Sequence, residues 1–323
     1  MKFVVFGQKR RLGLLEGERV LDLAGASARA AIAGRLRDAF GSLHRLIVSG
    51  ERGLEATAHL AETFGGSDES DVWIDVAKAD LAPPWPGQRF ALIGNNNAAH
   101  VGQTSLRMRG ATLSEAEIQE TARRSGLMGY WGMARPVLGP GSSVPIPVRA
   151  NGLFDYEAEP AIVLGKQGKD IRAENLADHV WGVTLVADWG IREERWPPGP
   201  YSPLMPTKNF DGSKSIGPCI VVGEIDPDDL EIETFINAQQ RQRFCSSEMI
   251  FSIGEILELL SENFTFFPGD VISGGSGPGT ALDQTTPHHD GSWPRDLFLK
   301  DGDVVEMRAA GIGSLVSHIV GSA

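Results

Sequence analysis

The stretch Phe154-Asp155-Tyr156-Glu157-Ala158-Glu159-Pro160-Ala161-Ile162-Val163-Leu164-Gly165 constrains this chain more than any other. Acids alternate through its first half, and an apolar run then closes on glycine. In a β-strand successive side chains point to opposite faces, so Asp155, Glu157 and Glu159 would share one face. Carboxylates held that close repel one another unless a positive charge sits among them. Two arrangements satisfy the pattern. One is a solvated strand face; the other is a site for a hard divalent cation such as Mg²⁺, Mn²⁺ or Ca²⁺, which prefers oxygen ligands.

With 323 residues the chain is long enough for a large core and for two domains of unequal size. The stiff segment Ala82-Pro83-Pro84-Trp85-Pro86-Gly87 sets the expected division, with a small domain over 1–82 and a larger one over 88–323. A hydrophobic content of 41% and a charged content of 22% are those of an ordinary globular protein. The net charge of −12 argues against nucleic-acid and anionic-membrane partners, while leaving room for a small anionic substrate. Cys219 and Cys245 form neither a disulfide framework nor a zinc-type spacing, which suits a reduced, cytoplasmic setting. The apolar start after Met1 is too short for a signal peptide. No run approaches the roughly 18 apolar residues of a membrane helix.

Short strands are expected over the first 25 or so residues, then helices over Ala26–Phe40 and Leu43–Phe64. Beyond the connector, Phe90–Gly94 reads as a buried strand, and Asn95–Gln103 as a polar loop. Ser114–Ser125 reads as a helix with a capping box, since Glu117 stands three residues after Ser114. Trp181–Ala187 is an apolar strand that ends at Asp188. Further strands are expected at Ile220–Val222, Leu230–Asn237, Val271–Ser273, Val304–Ala309 and Ser314–Val320, with an amphipathic helix at Ile253–Phe264.

Four stretches carry chemistry together: the acidic strand, Gly182–Arg195 with Asp188 at a strand tip, Lys208-Asn209-Phe210-Asp211, and Pro268–Gly277 running into a glycine-rich loop. In this combination the chain resembles the fumarylacetoacetate hydrolase family. Asp155–Gly165 is similar to the family's Asp-Tyr-Glu-x-Glu-Leu signature, with Pro160 in the Leu place. Lys208–Asp211 is similar to its Lys-Ser-Phe-Asp. Glu248–Ile253 and Leu299–Val305 also match family phrases, and the similarity runs in order from Phe90 to the C-terminus.

The resemblance implies a mainly β, α+β fold of the family's mixed β-roll type with a small N-terminal α+β domain, and a homodimer. It implies a divalent metal, Mg²⁺ or else Mn²⁺ or Ca²⁺, held by Glu157, Glu159 and Asp188. Asp155 would orient a neighbour. The metal would chelate a 2-oxo acid or 1,3-dicarbonyl and stabilise its enolate. Lys208 would set a positive charge beside that oxyanion. Arg192 and Arg195 would clamp a substrate carboxylate, or pair with Glu193 and Glu194. The loop Gly274-Gly275-Ser276-Gly277 would turn backbone N–H groups toward an anion, with a hydroxyl from Ser276 or Thr280 where the family has Thr.

One departure is informative. The family's Asn-Tyr-x-x-His-x-x-Glu becomes Asn96–Gln103 here, which keeps His100 and puts Gln103 in place of the acid. An amide cannot take a proton at neutral pH, so these two positions cannot form a His–Glu base pair. His100 alone would then serve as base, with Gln103 at most a hydrogen-bond donor. The leading expectation is hydrolysis of a C–C bond in an acylpyruvate or β-diketo acid. The alternatives through the same enolate are dehydration of a 2-oxo-3-deoxy sugar acid, decarboxylation or isomerisation; a non-catalytic carboxylate-binding protein is a third class. His288-His289-Asp290 reads as a solvated loop or a lid.

Overall fold

The computed structural model describes residues 1–32, 34–65, 71–110, 112–133, 135–192, 204–223 and 225–321, the side chains at 35, 108, 109, 204 and 205 excepted. The apolar part of the acidic stretch forms the strand Ala158–Leu164, buried along its whole length. It lies inside a mixed sheet that has eleven strands among the described residues. Val180–Asp188 runs antiparallel on one side, with Ala158 opposite Ala187 and Glu159 opposite Val186. Val271–Ser273 runs antiparallel on the other. Strands covered on both faces must be apolar throughout, and the continuous Val, Ile, Leu and Ala runs of these segments meet that demand.

From this centre the sheet continues through Phe90–Gly94, parallel to Val271–Ser273, to the edge strand Met128–Gly132. In the other direction Lys214–Val221 pairs with Lys2–Phe6, and the order goes on through Arg11–Glu16 and Arg19–Asp22 to Trp73–Asp75. The N-terminal strands therefore share a ladder with the strands around the acidic stretch. Leu81–Ala82, next to the proline-rich connector, also pairs with Lys2–Phe6. A second sheet of five strands among the described residues has the order Gln239–Cys245, Glu231–Ile236, Val304–Ala309, Gly313–Val320 and Ser142–Pro145. Neither sheet closes into a barrel. This is the strand-rich α+β architecture expected. Among the described residues no helix is long and apolar enough to cross a membrane.

Each helix expected in the N-terminal part is split in two. Leu23–Arg29 and Gly34–Ala39 replace the first; Leu43–Ser49 and Glu51–Phe64 replace the second. Gly50, at φ 59°, breaks the latter pair.

Two further departures position the site. Asn95–Gln103, expected as a loop, runs into the helix Ala98–Arg109, because the Asn97 side chain caps it by accepting from the His100 amide at 3.1 Å. The acidic stretch is also not one strand. Phe154–Asp155 pairs with Gly190–Ile191 in a separate ladder, and the chain breaks at Tyr156 and Glu157 before Ala158–Leu164 begins. Strict alternation does not survive that break, so Asp155 points elsewhere than Glu157 and Glu159.

Candidate active site

The ladder between Ala158–Leu164 and Val180–Asp188 sets the acids together. The Asp188 amide donates to the Glu157 carbonyl at 2.9 Å, which holds the strand tip beside the break. One carboxylate oxygen each from Glu157, Glu159 and Asp188 lies within 4.8 Å of the others, and all three residues are buried. Three cations answer them. Lys208 donates to Glu157, and its Nζ lies 3.1 Å from Asp188 Oδ2. A Cβ at Gly190 would stand 3.0 Å from that Nζ, so glycine leaves the lysine its room. Arg192 donates to Glu157 and, at 2.9 Å, to Asp155 Oδ2.

The third cation, Lys214, is fully buried, with Nζ 2.8 Å from Asp188 Oδ1 and 2.5 Å from the Lys208 carbonyl. The Tyr130 hydroxyl stands 2.7 Å from both Asp188 oxygens and donates to that carboxylate. Neither Lys214 nor Tyr130 was expected from sequence. A lysine in Lys214-Ser215-Ile216 reads as an ordinary strand entry, and only the register with Asp188 reveals it.

Burial works to raise the Glu157 carboxyl, but Arg192 and Lys208, with His100 further off, hold it far below the usual carboxylate range. Glu159 goes the other way. Burial, then Asp188 and Glu157, push it well above its ordinary value. Its Oε2 is buried and finds no hydrogen-bond partner among the described residues. An unpartnered oxygen in a buried, all-oxygen cluster is what a hard divalent cation satisfies, so these residues fit such an ion.

Beside the triad, His100 Nδ1 lies 2.7 Å from Asp283 Oδ2. Asp283 belongs to the short helix Ala281–Gln284, in which Thr280 caps the Asp283 amide and Asp283 reaches back to the Thr280 amide. It also accepts from Thr104 Oγ1 at 2.8 Å. His100 and Thr104 are four residues apart on one helix, hence on one face, and both meet the same carboxylate. Burial works against a charged imidazole, yet the charge of Asp283 and its hydrogen bond outweigh burial and hold the His100 pKa above its ordinary 6.5. With Nδ1 engaged, Nε2 is the nitrogen left for a ligand.

Asp155 ties the two clusters together. It accepts from the Ala281 and Leu282 amides at 2.8 and 3.1 Å, so it fixes the helix that carries Asp283 while also holding Arg192. A cavity of about 440 Å³ opens above these groups, with His100, Glu157, Glu159, Asp188, Arg192 and Lys208 in its lining. The helix Glu115–Ser125, capped by Ser114 as expected, forms one wall through Ile118, Thr121 and Ala122.

A family model described as "Fumarylacetoacetate (FAA) hydrolase C-terminal" matches residues 89–320. The chain belongs to the fumarylacetoacetate hydrolase family. It is 28% identical over 312 residues to oxaloacetate tautomerase YisK of Bacillus subtilis (strain 168), covering 95% of this chain and 94% of that protein. It is 30% identical over 196 residues to the Homo sapiens mitochondrial oxaloacetate tautomerase FAHD2A, covering 58% of this chain and 57% of that protein. The solved structure of maleylpyruvate hydrolase from Sphingobium sp. SYK-6, in complex with manganese(II) and pyruvate, matches the whole of both chains in fold, with a TM-score of 0.71 at 21% identity.

Several residues named from the family pattern sit differently from expectation. Gln103 is exposed and lies outside the cavity lining, one helical step round from His100. The acid that meets His100 is Asp283, which sequence reading missed. Its one local signal is the Thr280-x-x-Asp283 capping pattern after the glycine loop. Arg192 is engaged through Nε with Asp155 and through Nη2 with Glu157, and it also lines the cavity. Arg195, Glu193 and Glu194 lie outside the described residues. In the glycine loop, the Gly274 amide is spent on the Pro160 carbonyl at 2.8 Å. Gly275 has φ 90°, and a Cβ there would meet the Ile93 carbonyl oxygen at 2.9 Å, so its glycine serves the backbone path. Only Ser276 of Gly274–Gly277 lines the cavity. Thr280 is occupied as a helix cap. His288 and His289 are exposed, and Asp290 closes a local turn by accepting from the Ser292 amide.

Two outcomes test this geometry. Glu159→Gln or Asp188→Asn should weaken Mn²⁺ binding, followed by electron paramagnetic resonance, by more than the roughly 10–100-fold typical of losing an outer-shell partner. Circular dichroism should show the fold kept; undiminished Mn²⁺ affinity in both variants would refute the metal reading. Asp283→Asn removes the charge that raises His100 and leaves the burial that lowers it. The His100 titration, followed by imidazole NMR, should therefore move to lower pH, and an unmoved curve would show that the pair is not coupled.

Proposed function

We propose that this protein is a divalent-metal-dependent enzyme that moves a proton on the carbon next to the oxo group of a 2-oxo acid, a keto–enol tautomerase. The observation that carries the reading is the His100–Asp283 pair facing the Glu157, Glu159 and Asp188 cluster across one cavity. A divalent ion held by those three carboxylates would polarise the 2-oxo group and stabilise the enolate oxygen that develops. His100 Nε2 takes the proton from the adjacent carbon and returns it to carbon or oxygen. Asp283 holds the ring in position and stabilises its charged form, a role that a buried carboxylate fills without itself taking the proton. Lys208 supplies a second fixed charge beside the enolate. Similarity to the B. subtilis and human proteins, both named as oxaloacetate tautomerases, supports proton transfer without bond cleavage.

C–C hydrolysis of an acylpyruvate is the second reading. The same enolate would then be a leaving group, with His100 activating water, and the fold match to a maleylpyruvate hydrolase keeps it in view. A homodimer, as the family resemblance implies, is part of this proposal, and light scattering should give twice the 34.7 kDa chain mass at micromolar concentration.

Proton NMR in D₂O with Mn²⁺ or Mg²⁺ and a panel of 2-oxo acids separates the two chemistries. Tautomerisation should place deuterium next to the oxo group and leave the carbon skeleton whole. Release of a shorter acid or of CO₂ would sink the tautomerase reading. His100→Gln should slow exchange by about 10²–10⁴-fold, the usual contribution of a positioned base. Gln103→Glu should leave the rate nearly unchanged, because that side chain does not reach the cavity.

A further inference from the structure

Beside its charged groups the cavity is lined mainly by hydrocarbon, with the hydroxyl residues Thr104, Ser105, Thr121 and Ser125 set among it. Leu113, Ile118, Leu127, Met128, Phe251 and Leu282 stand in the lining. Leu113 and Met128 are 44% and 42% exposed, although large apolar side chains normally leave water when they can. Clustered at one cavity, such exposure marks a ligand site rather than scattered surface. The volume of about 440 Å³ falls in the ~300–1,000 Å³ range of sites that enclose a substantial ligand, and is roomier than a small dicarboxylate needs.

Charge in the lining points the same way. Among the described lining residues the groups able to carry positive charge are Lys208, Arg192 and His100, and each is already bonded to an acid: Glu157 and Asp188, Asp155 and Glu157, or Asp283. They all belong to the floor. The far wall offers Glu117, whose carboxylate is fixed in the capping box by the Ser114 amide and hydroxyl. A second carboxylate on the substrate would lose water there against leucine and methionine, and among the described lining residues it would meet no cation that is not already paired with an acid.

We propose that the group this enzyme selects at the far end of its 2-oxo acid is apolar, an alkyl or aryl tail, and not a second carboxylate. The inference rests on the 2-oxo acid reading above and narrows it. It parts from the dicarboxylate named in the tautomerase relatives, which share the floor's chemistry through the family but need not share this wall.

Oxamates mimic 2-oxo acids and do not enolise, so they report binding alone. Calorimetry on the Mn²⁺-loaded protein would compare oxamate with its N-propyl, N-butyl, N-phenyl and N-carboxymethyl derivatives. Affinity should rise about three- to fourfold per added methylene and rise again for phenyl, as burial of hydrocarbon requires. N-carboxymethyl oxamate should bind no better than oxamate itself. Leu113→Lys, a change at a half-exposed position that spares the core, should tighten the carboxymethyl compound by about tenfold or more relative to its effect on the parent. If oxamate binds and the carboxymethyl derivative is the tightest wild-type ligand, or if all tails bind alike, the apolar-tail proposal is overturned while the 2-oxo acid reading stands. If Mn²⁺ binds but no oxamate does, the 2-oxo acid reading fails and takes this proposal with it.

Discussion

Everything at this site follows from the cost of burying four carboxylates in one place. Asp155, Glu157, Glu159 and Asp188 are all buried, and against them stand Lys208, Lys214 and Arg192. A buried charge without a partner is far more expensive than a buried pair, so the arrangement of cations decides which acid is left short. Glu157 takes both Lys208 and Arg192, and its carboxyl is held low. Asp188 takes both lysines and the Tyr130 hydroxyl. Glu159 is left with an unpartnered oxygen and a carboxyl pushed high. The shortfall of positive charge is thus localised on one side of the triad, on the residue that lies within the buried strand Ala158–Leu164. A divalent ion would answer that shortfall.

The same accounting explains why Asp155 had to leave the face it shares with the glutamates in a regular strand. A fourth carboxylate in the triad would meet no further cation. The break at Tyr156 turns Asp155 onto two amides at the start of Ala281–Gln284 and onto Arg192 instead. Backbone N–H groups at a helix start stabilise a carboxylate without importing another charge. One consequence is mechanical. The helix that presents Asp283 to His100 is pinned to the acidic stretch, so the His100–Asp283 pair and the carboxylate cluster are tied to one another.

Sequence reached the part of this design that alternation and strand ends encode. Glu157, Glu159, Asp188 and Lys208 were all legible, because one strand with the residue just before it and the tip of its neighbour deliver three of them and a short motif carries the fourth. The strand-rich α+β architecture was legible from the same apolar runs. What escaped depended on pairings distant along the chain. Asp283 lies 183 residues from His100, and nothing near His100 announces it. Gln103 stands out because it takes the place of the family's Glu, but the motif does not say which way that side chain faces. On the helix both Gln103 and Thr104 lie near His100, but Gln103 faces solvent and it is Thr104 that meets Asp283. Lys214 was invisible for a different reason. A lysine at a strand entry looks solvated until the register sets it opposite Asp188 with no water around it.

The wall above the cluster bears on chemistry as well as on selection. An enolate formed at this floor has two fates: a proton returns to it, or a bond to it has been cut by hydroxide attacking a neighbouring carbonyl. The floor is equally suited to both, since each needs the same charge stabilisation and the same base. Water decides between them. The side chains of Leu113, Ile118 and Leu127 offer a water molecule no hydrogen bonds, and an apolar tail packed against them would displace water from that part of the cavity. On the proposed reading, exclusion of water by an apolar tail would leave the His100 proton as the nearest electrophile and would favour its return over cleavage.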